Sequence, residues 1–427
     1  MNQARRAAGD PRRRAPSPRL RVSVAPIIAL VALLVAGIVS LNLLAVTSAG
    51  PTGPGSSGGG GGVGGGSGVP PIANRPTPDP SVIITPPPED RPEVEGSILF
   101  GRTGDIWAAS GLDLTQLSTG GTDSAPTWAP DGAAIYFLET RETRTRSPVG
   151  GTDTSHLAHY TLYHPAIVRM AADGAGREEI KDGIFRTAGG EWFSWLLSPD
   201  VSPDGETLAL ASDGETGTGE VAISLMPAEG GETETMGLRQ AAGLGHSDPE
   251  WSPDGTRIAF TFHAEEAGQA ESRIGVVTVA DGDLRLLRGR GYASPSWSPD
   301  GTRLVAERST PNGRDVVILD PEAGGELARL TDDGRSFGPT FSPNGSQVAY
   351  LHLDGPAIDL RVMTLAERTD GSIDVLEVKA ITDDGSLDAG SPPSWWGTRS
   401  TVPPATGPSG APSAPGPSGA PSASRAP

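Results

Sequence analysis

Cysteine is absent from the 427 residues, so disulfides contribute nothing to the fold, which suits an exported bacterial protein as well as any other. Lysine is nearly absent: Lys181 and Lys379 stand alone, every other basic residue being arginine, which we read as compositional bias. The usual catalytic signatures are also missing. Gly245-His-Ser-Asp-Pro249 breaks a G-x-S-x-G elbow at its second glycine. No P-loop or dinucleotide fingerprint stands between a strand and a helix, and neither H-E-x-x-H nor an EF-hand loop occurs. Positive charge is scarce overall, with a formal net charge of −19. Residues 1–21 hold seven arginines and one aspartate, so the remaining chain carries about −25. That balance favours solubility and disfavours nucleic acid and anionic surfaces as partners.

Val22–Val46 is a long uncharged run, 25 residues with Pro26, Ser40 and Asn42 as its least apolar members. It is long enough to cross about 30 Å of hydrocarbon as a helix. The arginine cluster before it (residues 1–21) is expected to stay cytoplasmic, which puts the rest of the chain outside. A cleaved signal peptide is the competing reading, Thr47-Ser-Ala49 offering a small-residue site. Residues 47–95 are Gly-, Ser- and Pro-rich and read as a linker, flexible over Gly58–Gly66 and proline-stiffened over Pro70–Pro92. Residues 399–427 read as a disordered Pro/Ser/Ala tail.

One phrase recurs in between. It reads WAPDG at Trp128–Gly132, VSPDG at Val201–Gly205, WSPDG at Trp251–Gly255 and at Trp297–Gly301, FSPNG at Phe341–Gly345, and, degenerate, PSWWG at Pro393–Gly397. The aromatic position recurs after 73, 50, 46, 44 and 54 residues. A repeat of this period predicts a propeller of four-stranded blades. In the fourth copy Ser298-Pro-Asp-Gly301 is a turn: proline fixes φ, aspartate bonds backbone amides ahead of it, and glycine accepts positive φ. Thr302–Ala306, Asp315–Leu319 and Leu327–Leu330 follow as strands, with Ser309–Gly313 as a polar loop. Ser97–Gly101, Asp105–Ala109 and Leu114–Leu117 precede the first copy as three strands lacking an innermost fourth, which Ser394-Trp395-Trp396 can supply. The expected fold is therefore all-β: a six-bladed propeller over residues 96–398, its ring closed by one blade built from both chain ends.

The phrase P-x-W-S-P-D-G, with L-T-x-D-G at Thr331–Gly334 and Thr382–Gly385, resembles the TolB-like, WD-repeat-like propeller family over about 300 residues. The second unit departs from the pattern at Val201, and the sixth lacks Pro-Asp. The resemblance implies a non-enzymatic module for protein–protein contacts in the cell envelope.

Trp128, Trp251, Trp297, Trp395 and Phe341 are expected to pack between blades, and Asp131, Asp204, Asp254 and Asp300 each to serve its own turn. His156, His159 and His164 form H-x2-H-x4-H, a spacing that matches no standard zinc site, so an exposed polar loop is expected and no cofactor. The first unit is about 27 residues longer than the others, the excess falling at Thr140–His159 between its second and third strands. Topology places that excess on the face with the residues ahead of each Pro-x-Trp. Asp123, His156, His159, Trp192, Trp195, His246, Asp248, Tyr292, Arg335, Phe337 and Asp388 form this candidate partner or ligand face. Two alternatives remain open: a channel-centred, metal-assisted carbohydrate or lactone enzyme, and an extracellular sensor domain.

Overall fold

The structure is a computed structural model that describes residues 91–148, 157–187, 190–217, 219–238, 244–266 and 269–397. The Val22–Val46 span, most of the linker, His156 and the C-terminal tail lie outside the described residues. Every regular element among the described residues is a strand.

Six four-stranded antiparallel sheets form the blades of a propeller. The blade at the chain ends holds β1 (Val94–Arg102), β2 (Asp105–Gly111) and β3 (Asp113–Gln116). The next holds β4 (Asp123–Trp128), β5 (Ala134–Pro148), β6 (Leu157–Ala171) and β7 (Glu178–Asp182), and a separate hairpin follows, β8 (Ile184–Thr187) with β9 (Gly190–Phe193). Then come β10 (Leu196–Val201), β11 (Thr207–Ser212), β12 (Ala222–Pro227) and β13 (Glu234–Thr235). The fourth sheet is β14 (Gly245–Trp251), β15 (Arg257–Glu266), β16 (Gln269–Thr278) and β17 (Leu284–Leu286). The fifth is β18 (Tyr292–Trp297), β19 (Leu304–Thr310), β20 (Gly313–Leu319) and β21 (Glu326–Arg329). The last is β22 (Ser336–Phe341), β23 (Gln347–Asp354), β24 (Ala357–Glu367) and β25 (Ile373–Ala380). β26 (Ser394–Trp396) returns to the first blade and pairs with β1, Ile98 opposite Trp395, in the order β26-β1-β2-β3.

The core lies between blades. Middle strands are buried on both faces, so they read as continuous apolar runs rather than alternating ones. Ile98, Leu99 and Phe100 are consecutive and fully buried. Ile98 and Phe100 pack on Ala349, Leu351 and Leu360 of the last blade, while Leu99 packs on Trp128, Ile135 and Phe137 of the next. Trp128, Trp251, Trp297 and Phe341 are buried in these layers, and Trp395 is half-buried against the first.

Each Ser-Pro-Asp-Gly turn closes on itself. Asp204 Oδ1 accepts from Ser202 Oγ at 2.5 Å and from the Glu206 amide at 3.0 Å, and the same bonds recur at Asp254 and Asp300. These bonds, led by Ser202 and Ser252, hold the Asp204 and Asp254 carboxyls below their usual range. Asp131 likewise accepts from the Ala133 amide.

Two expectations about loops change. β19 and β20 run through Thr310 and Gly313, so the expected loop there is a tight turn. The Thr140–His159 excess is a continuous hairpin: β5 and β6 pair from Ala134 opposite Ala171 to Pro148 opposite Leu157. His159 is therefore in a strand, exposed, while His164 is buried; five residues apart on one strand, they face opposite sides and do not converge on one ion.

Candidate binding site at the central channel

The innermost strands β4, β10, β14, β18, β22 and β26 surround a cavity of about 550 Å³. Five of them carry the same irregularity. Ala125, Ser198, Asp248 and Ser294 each precede a proline and have φ between +46 and +51°, and Gly338 takes φ +57° before Pro339. The ladder to the second strand shifts at each of these places. Left-handed backbone is costly for a non-glycine residue and persists only where surroundings impose it. Here the proline denies the strand an amide, a bulge follows, and neighbouring blades capture the displaced amides. The Ala125 amide donates to Ser391 Oγ at 2.9 Å, that of Ser294 to Thr261 Oγ1 at 2.9 Å, and that of Gly338 to Glu307 Oε1 at 2.8 Å. The bulge turns these side chains onto the lumen.

Asp248 is the hub of the upper ring. Its carboxylate accepts from Ser247 Oγ at 2.9 Å, Thr261 Oγ1 at 3.1 Å, Ser198 Oγ at 3.3 Å and Ser294 Oγ at 3.4 Å. A second ring lies one step further along, at the residue just ahead of each repeat aromatic: Thr127, Asp200, Glu250, Ser296, Thr340 and Ser394. Asp200 accepts from the Trp251 amide at 2.7 Å and from Thr127 Oγ1 at 3.2 Å. Glu250 Oε1 accepts from Ser296 Oγ at 2.9 Å and from the Trp297 amide at 3.1 Å. The Trp128 amide donates to Ser394 Oγ at 3.4 Å. Both carboxylates keep a narrow contact with the lumen but are walled round by protein. Desolvation pushes Asp200 up to about 6, and desolvation together with the Asp200 charge pushes Glu250 up to about 8. Both shifts favour the protonated forms, and the two carboxyls titrate as a pair rather than singly.

The residues expected on the working face divide into several groups. Asp248 lines the channel. His246 packs between Phe260 and Phe262, and its Nδ1 accepts the Ile223 amide at 3.2 Å. Burial lowers its pKa to about 4. Tyr292 and Phe337 are buried in interblade layers, with Tyr292 Oη donating to Glu326 at 3.1 Å. Asp123 is buried beneath Arg177, which grips it at 2.7 and 2.9 Å. Asp388 accepts the Gly104 amide at 2.7 Å, and exposed Arg335 lies 3.5 Å from Asp354. Trp192 is 47% exposed on β9, and Trp195 stacks edge-on against Phe193 with its amide bound to Asp213 at 2.7 Å. Sequence reasoning missed Ser198, Asp200, Glu250 and Ser294. The signal was present in the fixed offset of these residues from each repeat proline and aromatic.

Among the described residues no group of three His, Cys, Asp or Glu side chains is placed to hold a metal ion, and no helix is long and apolar enough to cross a membrane.

Residues 186–382 match the family model described as TolB beta propeller domain, PD40. An uncharacterized protein of Agrobacterium fabrum is 30% identical over 158 residues, 35% of this chain and 43% of that protein. The chain thus matches less than half the length of this curated relative. TolB from Acinetobacter baumannii aligns with 20% identity over 70% of this chain and 66% of that one, at a TM-score of 0.49. A putative TolB from Agrobacterium tumefaciens aligns with 19% identity over 70% and 93%, at a TM-score of 0.45.

Proposed function

From the match of residues 186–382 to the TolB beta propeller model, we propose that this protein is a membrane-anchored, extracytoplasmic interaction module that binds a protein partner of the cell envelope at the X-Pro end of its channel. The observation that carries this reading is the repeated strained bulge. Four successive inner strands adopt a costly left-handed conformation and a fifth reaches it through Gly338, which aims two hydroxyls and a carboxylate at one lumen, and strain of this kind collects at ligand sites. The opposite end is a uniform row of self-satisfied turns. The long β5–β6 hairpin and the β8–β9 hairpin with exposed Trp192 add contact surface beyond the blades. The Arg-rich residues 1–21 and the uncharged Val22–Val46 support an anchor with the propeller outside. The experiment is affinity capture of envelope proteins on the full chain, compared with Ser198→Trp and Ser294→Trp variants that fill the lumen. Loss of one defined partner in both variants supports the reading; a partner retained by both overturns it.

A second reading rests on Asp200 and Glu250. Two neighbouring carboxyls pushed to about 6 and about 8 have the acid–base character used on sugars and lactones. Turnover of a carbohydrate and lactone panel that disappears in Glu250→Gln would favour it over pure binding.

A further inference from the structure

The protruding part of the β5–β6 hairpin has two unlike faces. On one, Thr145, Leu162 and His164 are buried. β9 packs there, and Glu191 hydrogen-bonds Thr145. His164 is fixed between Asp182 at 2.9 Å and Thr143 at 3.0 Å. The other face is open. Glu142, Arg144 and Arg146 alternate along β5, directly opposite Tyr163, Thr161 and His159 of β6, and all six are exposed. Tyr163 is 56% exposed, among the most exposed large apolar side chains described.

The arginines on this face lack carboxylate partners among the described residues. The chain carries 52 acidic residues against 33 lysines and arginines, so carboxylates are in surplus to pair with every cation. Neighbouring arginines do pair: Arg141 with Glu139, Glu179 and Asp182, Arg177 with Asp123 and Glu139, Arg186 with Glu191. Arg144 and Arg146 form no ion pair among the described residues. Two same-face residues on a strand stand about 7 Å apart, which is also the spacing of alternate side chains on an extended peptide.

We propose that this face is a docking strip for an extended acidic polypeptide segment, its alternate carboxylates meeting Arg144 and Arg146 and its backbone or an apolar side chain resting on Tyr163. Charge complementarity selects this occupant. An extended segment meets the two arginines toward the outer end of the strip, with Glu142 beside Tyr163 at its inner end. The strip is separate from the channel, so the proposal does not depend on what the channel binds.

The test uses the full-length protein and a fluorescent deca-glutamate peptide, followed by anisotropy, with deca-glutamine as control. Deca-glutamate is expected to bind and to weaken steeply with added salt. The Arg144→Gln/Arg146→Gln double variant should lose at least about tenfold in affinity, and Tyr163→Ala severalfold. Arg368→Gln, in the last blade, should bind as wild type. Since neither strip arginine is in an ion pair among the described residues, the double variant should keep the wild-type melting temperature. The proposal is overturned if deca-glutamate binds no better than deca-glutamine, if binding survives the double substitution, or if phosphatidylglycerol vesicles bind through these arginines while the peptide does not.

Discussion

The indole of Trp396 occupies the space above Gly132: a Cβ on that glycine would lie 2.2 Å from two ring carbons. The two residues come from opposite ends of the propeller. Trp396 Nε1 also donates to the Pro130 carbonyl at 3.1 Å, and its ring lies 5.8 Å from Trp128. The last turn of the repeat thus docks on the first. Elsewhere in the ring the same turn glycines meet a proline of the preceding turn, Gly345 against Pro299 and Gly397 against Pro343. Glycine is needed here both for its φ of +70° and for the close approach.

Gly132→Ala is therefore expected to destabilise the protein by more than the roughly 1–2 kcal/mol that left-handed backbone costs alanine. In a Trp396→Ala background the same change should cost only the backbone part. Urea midpoints of the four proteins form a cycle, and a coupling energy of zero would dissociate the two residues.

Truncation after Gly390 removes β26, its three pairs with β1, and the half-buried Trp395 whose Nε1 donates to the Glu95 carbonyl at 2.8 Å. It leaves β1 as an open edge. We expect a loss on the order of 3 kcal/mol or more. A truncated chain melting at the wild-type temperature would show that the ring does not need this strand.

Glu250 and Asp200 give a pH dependence whose sign can be worked out. Their folded values of about 8 and about 6 lie above the ordinary 4.5 and 3.8. Between about pH 4.5 and 8 the folded protein retains protons that the unfolded chain has released, so these groups make stability fall as pH rises through that window. His246, lowered to about 4, acts oppositely, its contribution being lost as pH falls from about 6.5 toward 4. Glu250→Gln keeps an acceptor for Ser296 and the Trp297 amide but cannot ionise. Its melting temperature should exceed the wild type's at pH 8.5, with the gap closing by pH 5. Parallel pH profiles would contradict the buried-carboxyl account.

The propeller and most of its strands were legible because one short phrase encodes a turn, a bulge and an interblade aromatic at every repeat. The hairpin was not. Residues 140–147 alternate threonine, serine and charge without an apolar face, a pattern that reads as loop until β8–β9 is seen to cover one side. Tyr292, Phe337 and His246 look like variable loop residues in the sequence, but the register buries the first two rings in interblade layers and sets the imidazole against Phe260 and Phe262. Asp200 and Glu250 gain meaning only from the ring that brings equivalent positions of six blades together, which no single stretch of sequence displays.

Protease added to intact cells should remove the propeller and leave a short membrane-bound fragment containing Val22–Val46. A mature protein beginning near Gly50 and free in the medium would replace the anchor with a cleaved signal.

The central claim is that a partner engages the X-Pro end of the channel rather than the turn end. The most direct measurement is site-specific photocrosslinking in intact cells, with a photoreactive residue placed at Trp192 or Ser294 on one end and at Arg257 or Arg303 on the other. The account predicts one defined protein adduct from Trp192 and Ser294 and none from Arg257 or Arg303. Adducts from the two arginine positions alone would contradict it.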